Sequence, residues 1–227
     1  MRLSIPEFSL ILLVGATGSG KSSLAARHFL ATEVISSDAC RGLVSDNPND
    51  QSASADAFEV LRYIAGKRLE RRRLTVIDAT NVRAEDRRDL IHLAREYHAL
   101  PVAIVVDMPE SLCQERNRAR ADRDFGRHVV RNHIQALRRS LRGLKREGFA
   151  QWHVLTSPEG VDAVEIERTR LWTDRRDLQG PFDIIGDVHG WLRRAAAAAC
   201  PSRLRDHSGR WDLLGPASRR TDRSLCR

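Results

Sequence analysis

The chain has 227 residues, 41% hydrophobic and 30% charged, with a formal net charge of +8, which is ordinary for a soluble globular protein of one well-packed domain and part of another. No apolar run reaches the roughly 18 residues that span a bilayer, so no membrane role is expected. Four cysteines, Cys40, Cys113, Cys200 and Cys226, have no metal-finger spacing, which fits free thiols in the cytoplasm.

In chain order, SLILLVG (9–15) reads as a buried strand that runs straight into a glycine-rich loop. A signal peptide cleaved there would destroy that loop, so none is expected. Residues 20–31 read as a helix, and TEVISS (32–37), LTVIDA (74–79), PVAIVVD (101–107) and QWHVLTS (151–157) as further strands. Phe58, Leu61, Ile64, Ala65 and Leu69 recur at helical spacing, as do Leu90, Leu93, Ala94 and Tyr97. The alternation predicts an α/β domain over 1–157 with a mostly parallel sheet. Residues 158–181 read as a connector, and FDIIG at 182 opens a second unit that runs to 227.

The charge is uneven. Residues 191–227 supply +6, and residues 116–146 carry eleven Lys and Arg against two Asp. The rest of the first 190 residues is therefore acidic. Basicity is a localised patch, and its position matters more than the sum.

GATGSGKS, Gly15 to Ser22, matches G-x-x-x-x-G-K-[ST] between a strand and a helix start. In such a loop Gly15, Gly18, Ser19 and Gly20 let backbone N–H groups turn onto phosphates, and the helix N-terminus adds a favourable field. Lys21 would reach the β- and γ-phosphates of ATP, and the Ser22 hydroxyl, with Ser23 beside it, would meet Mg²⁺. Asp38, past the second strand, sits where ligands collect in open parallel sheets. It can accept a proton from an attacking hydroxyl, or serve as helix-capping chemistry in SSD. Arg41 can grip a phosphate beside that hydroxyl. Gln51 can touch the acceptor or take part in capping. Asp78, ending the third strand, can steady Mg²⁺ through water or make a strand-end hydrogen bond.

SSDACRGLVSDNPNDQSASADAF, joined to GATGSGKSS and to the later GDVHG, resembles the bacterial polynucleotide kinase–phosphatase family of RNA repair over residues 9 to about 190. The resemblance implies a P-loop kinase fold with an arginine-rich lid, followed by a metallophosphoesterase module. It also implies an ATP- and Mg²⁺-dependent kinase of RNA or DNA 5′-hydroxyl ends. By resemblance Asp38 is the general base, Lys21 and Ser22 hold ATP and Mg²⁺, and Arg41 contacts the acceptor end. Arg116, Arg120 and, less specifically, Arg123 are lid arginines over the triphosphate. Arg116, Arg120, Arg123 and Arg127 are spaced to share one helical stripe, with Phe125-Gly126 as an interruption. Val129-Val130 offers an apolar ledge to a terminal base, or core. The basic residues from Arg138 to Arg146 read as a solvated face.

Asp187 and His189 in GDVHG have the spacing that opens a two-metal phosphatase site, which in complete relatives would take Mn²⁺ or a similar ion. Residues 191–227 contain no Asn and a single His, so the site is expected to be an inactive stub of a truncated or frame-disrupted module. Partners in a repair complex are expected through regions absent from the chain. Two alternatives stand beside the polynucleotide kinase: a P-loop kinase of a small-molecule hydroxyl, and a nucleotide-binding switch without transfer.

Overall fold

The computed structural model describes residues 1–119 and 126–180. They comprise a unit Met1–Asp174 and the start of a second, Arg175–Arg227. In the second unit the Leu178 N–H turns back onto the Arg175 carbonyl at 3.0 Å. In the first unit the strands are β1 (Arg2–Pro6), β2 (Ser9–Val14), β3 (Val34–Ser36), β4 (Thr75–Asp78), β5 (Leu100–Val106), β6 (Gln151–Leu155) and β7 (Glu165–Thr169). The helices are α1 (Lys21–His28), α2 (Ser37–Ser45), α3 (Ser54–Glu70), α4 (Ala84–Glu96), α5 (Glu110–Arg118), α6 (Arg127–Leu141) and α7 (Pro158–Asp162).

Five strands form one parallel sheet in the order β3-β4-β2-β5-β6. The continuous apolar run SLILLV takes the central place, where both faces are covered and every residue is buried. Its alternation divides the core. Leu10, Leu12 and Val14 pack with Leu61 and Ala65 of α3 and Leu90 of α4, while Ile11 and Leu13 pack with Leu24 and Ala25 of α1. The sheet is thus flanked by helices on both faces, as the strand–helix alternation predicts.

The boundary expected at residue 157 falls inside the first unit. Within the expected connector, α7 and β7 form, and β7 pairs in parallel with β1, Leu3 opposite Ile166. Leu3 and Ile5 are fully buried, so this small second sheet is part of the core. An ion pair fastens it: both Nη atoms of Arg168 donate to the Glu33 carboxylate, at 2.8 and 2.7 Å. Burial opposes the charge on Glu33, but the Arg168 pair and the Leu30 N–H outweigh it and hold the carboxyl below its ordinary range.

A second ion pair, built on a buried arginine, braces the sheet edge. Arg87 of α4, with no exposed surface, donates from Nε and Nη2 to Glu147 at 2.7 and 2.5 Å and from Nη1 to the Asn81 carbonyl at 2.7 Å. Asn81 in turn donates from Nδ2 to the Leu13 carbonyl at 2.8 Å. The loop after β4 is thereby tied to the strand that carries the phosphate loop. Among the described residues no helix is long and apolar enough to cross a membrane.

Candidate active site

Because all five strands are parallel, their C-terminal ends share one edge, and the connections after β2, β3 and β4 converge there. They line a cleft of about 710 Å³. Lys21, Ser22, Asp38, Arg41, Asp78 and Arg116 all face it. The sequence predicts these residues separately; the fold brings them to one place.

The loop from Gly15 to Gly20 owes its shape to local necessity. Gly18 has φ +80° and Gly20, which caps α1, has φ +101°, both in the left-handed region that side chains disfavour. A Cβ on Gly18 would run into the Cys113 carbonyl of α5. That close approach seats the loop on α5, and three residues further along the helix Arg116 reaches the Ser19 carbonyl with Nη1 at 3.5 Å. Lys21 is buried, and its ammonium donates to the Gly15 and Ala16 carbonyls at 2.9 and 2.8 Å. Ser22 and Ser23 stand exposed on the first turn of α1.

On the acceptor side, Ser36 and not Asp38 caps α2, accepting from the Ala39 N–H at 3.4 Å. The strand expected to reach residue 37 accordingly stops at Ser36. Asp38 lies in the first turn of α2, its carboxylate turned to the cleft and paired with the Arg41 guanidinium. Arg41 is buried and also donates from Nε to the Pro48 carbonyl at 3.0 Å. Gln51, in a short 3₁₀ turn capped by Asp50, is exposed at the cleft wall. The two valines of the expected ledge divide: Val129 lines the cleft, whereas Val130 is fully buried in the core.

The two ends of the expected arginine stripe lie on different helices. Arg116 belongs to α5, which ends at Arg118, and Arg127 opens a separate helix, α6. Arg120, Arg123, Asp187 and His189 lie outside the described residues.

One feature of the cleft is not foreshadowed by the sequence. His133 of α6 lines the cleft, with Nδ1 3.3 Å from the Thr17 hydroxyl in the phosphate loop. Burial, then the nearby charges of Lys21 and Arg83, pull its pKa down to about 4. No motif marks a histidine 116 positions away in sequence from its partner. Burial likewise pushes the thiols of Cys40 and Cys113 up, which keeps both as inert thiols.

The donor set suits a magnesium–polyphosphate complex. Mg²⁺ keeps several waters and takes few protein ligands, and the cleft lining offers it the Ser22 hydroxyl and the Asp78 carboxylate. No cluster of three or more His, Cys, Asp or Glu fit to hold a metal by itself occurs among the described residues. Lys21 and Arg116 set two cations beside the phosphate loop, whereas the cleft's Arg41 is paired with Asp38.

A family model described as an AAA domain matches residues 10–144. No curated protein matches the chain. Among solved structures, the Pnkp1/Rnl/Hen1 RNA repair complex is similar at 25% identity and a TM-score of 0.53, covering 61% of this chain and 46% of that one. The native AvrRxo1-ORF1:-ORF2 complex shares the fold at 16% identity and a TM-score of 0.51, covering 66% of this chain and 55% of that one. The same complex with ATP matches at 16% identity and a TM-score of 0.50, covering 68% and 56%. The chain thus spans about half the length of the structures it resembles. With the family model matching more than half of its residues, the chain belongs to this AAA-domain family, and its fold is that of a P-loop kinase.

Proposed function

We propose that the chain is an ATP-dependent polynucleotide 5′-hydroxyl kinase. The observation that carries this reading is the placement of the Asp38–Arg41 pair in the same cleft as Lys21 and Ser22. A kinase needs a phosphate donor site and an oriented hydroxyl within one water-poor space, and these residue types supply both halves.

In the proposed reaction the 5′-hydroxyl oxygen of the acceptor attacks the γ-phosphorus. The O–P bond forms as the bond from that phosphorus to the β,γ-bridging oxygen breaks, leaving ADP. Phosphoryl transfer is loose, so proton loss from the hydroxyl comes late, and Asp38 both orients the nucleophile and receives its proton. Lys21 exchanges the loop carbonyls for phosphate oxygens, and its charge offsets what develops on them. Arg116, anchored over Ser19, adds a second cation beside the loop. Ser22 and Asp78 would hold Mg²⁺, which would supply charge neutralisation on the phosphates. Arg41 would bind the phosphodiester next to the reacting hydroxyl, a group that small neutral metabolites lack.

Likeness to the Pnkp1/Rnl/Hen1 RNA repair complex supports an acceptor of this kind and repair proteins as partners; a cytoplasmic setting rests on the free-thiol reading of the sequence. The local basic charge between residues 116 and 146 supports it independently. The metallophosphoesterase assignment of GDVHG, with Asp187 and His189 as vestigial ligands, rests on the sequence resemblance.

An acceptor panel tests the assignment. A 5′-hydroxyl RNA oligomer, a nucleoside 3′-phosphate, a nucleoside and a sugar are compared under ATP and Mg²⁺ at rising salt. The RNA is expected to be preferred, with kcat/KM falling steeply with salt as phosphate contacts are screened. A preference for the sugar or nucleoside, insensitive to salt, would reassign the acceptor to a small molecule.

A further inference from the structure

The phosphate loop is gripped from two sides. Gly18 packs on the Cys113 carbonyl of α5, and Thr17 bonds the His133 ring of α6. The first contact is steric and explains a glycine. The second is polar, lies in the cleft, and joins two residues that the reaction described above leaves unused. Thr17 is itself buried, 6% exposed, so its hydroxyl has few orientations available.

Hydrogen-bond bookkeeping then restricts the ring. A neutral imidazole carries one N–H, and a hydroxyl carries one hydrogen and two acceptor lone pairs. If the ring is protonated on Nε2, the Thr17 hydrogen is spent on Nδ1 and the hydroxyl turns lone pairs toward the cleft, where they would repel a phosphate. If the ring is protonated on Nδ1, it donates to Thr17 Oγ1, and the hydroxyl hydrogen is released to point at an anion. Lys21 of α1 and Arg83 ahead of α4 are the charges that face the ring, and both disfavour an imidazolium.

We propose that His133 is a positioning residue of the phosphate loop: it donates from Nδ1 to Thr17 Oγ1 and so directs the Thr17 hydroxyl hydrogen onto a phosphate oxygen of the bound nucleoside triphosphate. This rests on the donor half of the function proposed above and is independent of what accepts the phosphate. It also gives α6 a direct stake in nucleotide binding.

The test uses the full chain and calorimetric binding of a non-hydrolysable ATP analogue with Mg²⁺, with melting temperatures measured alongside. His133→Leu is expected to weaken binding about tenfold, the scale of a lost hydrogen bond to a charged group. His133→Asn, whose amide N–H replaces the Nδ1 donor, is expected to restore binding to within about twofold. Thr17→Val in the His133→Leu background is expected to add little, because the two residues act as one unit. Wild-type affinity in His133→Leu, equal losses in the Leu and Asn variants, or fully additive costs would each overturn the proposal. Imidazole ¹⁵N shifts of the unaltered chain with the analogue provide a check that needs no variant. Protonated Nδ1 with bare Nε2 is expected, and the reverse would overturn it. A wild-type chain that binds no triphosphate would remove the donor site and this proposal together. Binding without transfer to RNA would remove only the acceptor assignment.

Discussion

Arg41 holds Asp38 from three residues further along α2, with Nη2 on the carboxylate and Nε on the Pro48 carbonyl. The guanidinium is therefore fixed at two points, and the carboxylate it touches cannot turn freely. An arginine fork is needed to reach both partners; a lysine ammonium has one centre. Arg41→Lys is expected to lower kcat/KM for a 5′-hydroxyl oligomer by about ten- to a hundredfold, the value of one or two charge-assisted bonds. ATP affinity is expected to stay near wild type. Steady-state kinetics beside calorimetric ATP binding separates the two, and an equal loss in both would place Arg41 on the donor side.

Gly18 gives a second test. Gly18→Ala must hold a side chain at φ +80° and place Cβ against the Cys113 backbone, which cannot step aside as a flexible side chain would. The left-handed backbone alone costs about 1–2 kcal/mol, so ATP affinity is expected to fall at least about fivefold. Calorimetry against ATP measures it, and unchanged affinity would show that the loop does not need this shape.

Arg87 and Glu147 define a stability prediction away from the cleft. Arg87→Leu strands a carboxylate and the Asn81 carbonyl in a buried place, which costs about 3–5 kcal/mol. At about 2–4 °C per kcal/mol for a chain of this size, the melting temperature should drop by roughly 6–20 °C. The double variant Arg87→Met/Glu147→Met should recover part of it. If the single variant melts like the wild type, the pair is not the brace described.

His133 sets a pH dependence. Its folded pKa, about 4, is below the unfolded value of 6.5. Above 6.5 both states are neutral at this site and its contribution is fully present. As pH falls from 6.5 toward 4 the unfolded chain takes up the proton first, so stability declines, with a slope of up to about 1.4 kcal/mol per pH unit. Melting temperature against pH should therefore fall less steeply in His133→Asn than in the wild type over that window. Parallel curves would mean that the ring titrates normally.

Much of the donor half was legible in the chain itself. SLILLV has to be a buried strand, GATGSGKS has to be a turn, and Lys21 and Ser22 follow from the spacing. Asp38 was placed by its distance from a strand end, although the residue that caps the helix, Ser36, needed the backbone to be seen. The small β1–β7 sheet was not legible. EIERT is mostly exposed and charged, and RLSIP presents one buried face, so neither has the apolar run of a central strand. Arg87 lies in EDRRD, a pattern that reads as solvated surface, and only the fold reveals that its carboxylate partner comes from Glu147. The division of Val129 and Val130 between cleft and core was likewise decided by the rotation of α6, a matter of packing and not of residue type.

Label transfer from γ-³²P ATP with Mg²⁺ to matched RNA oligomers ending in 5′-hydroxyl or 5′-phosphate, with Asp38→Asn as control, separates a polynucleotide kinase from its alternatives. Label should enter the 5′-hydroxyl oligomer alone and be lost in the control, while ATP binding persists. No transfer from a chain that binds ATP, or transfer undiminished in Asp38→Asn, would contradict the assignment of this cleft as a polynucleotide 5′-hydroxyl kinase.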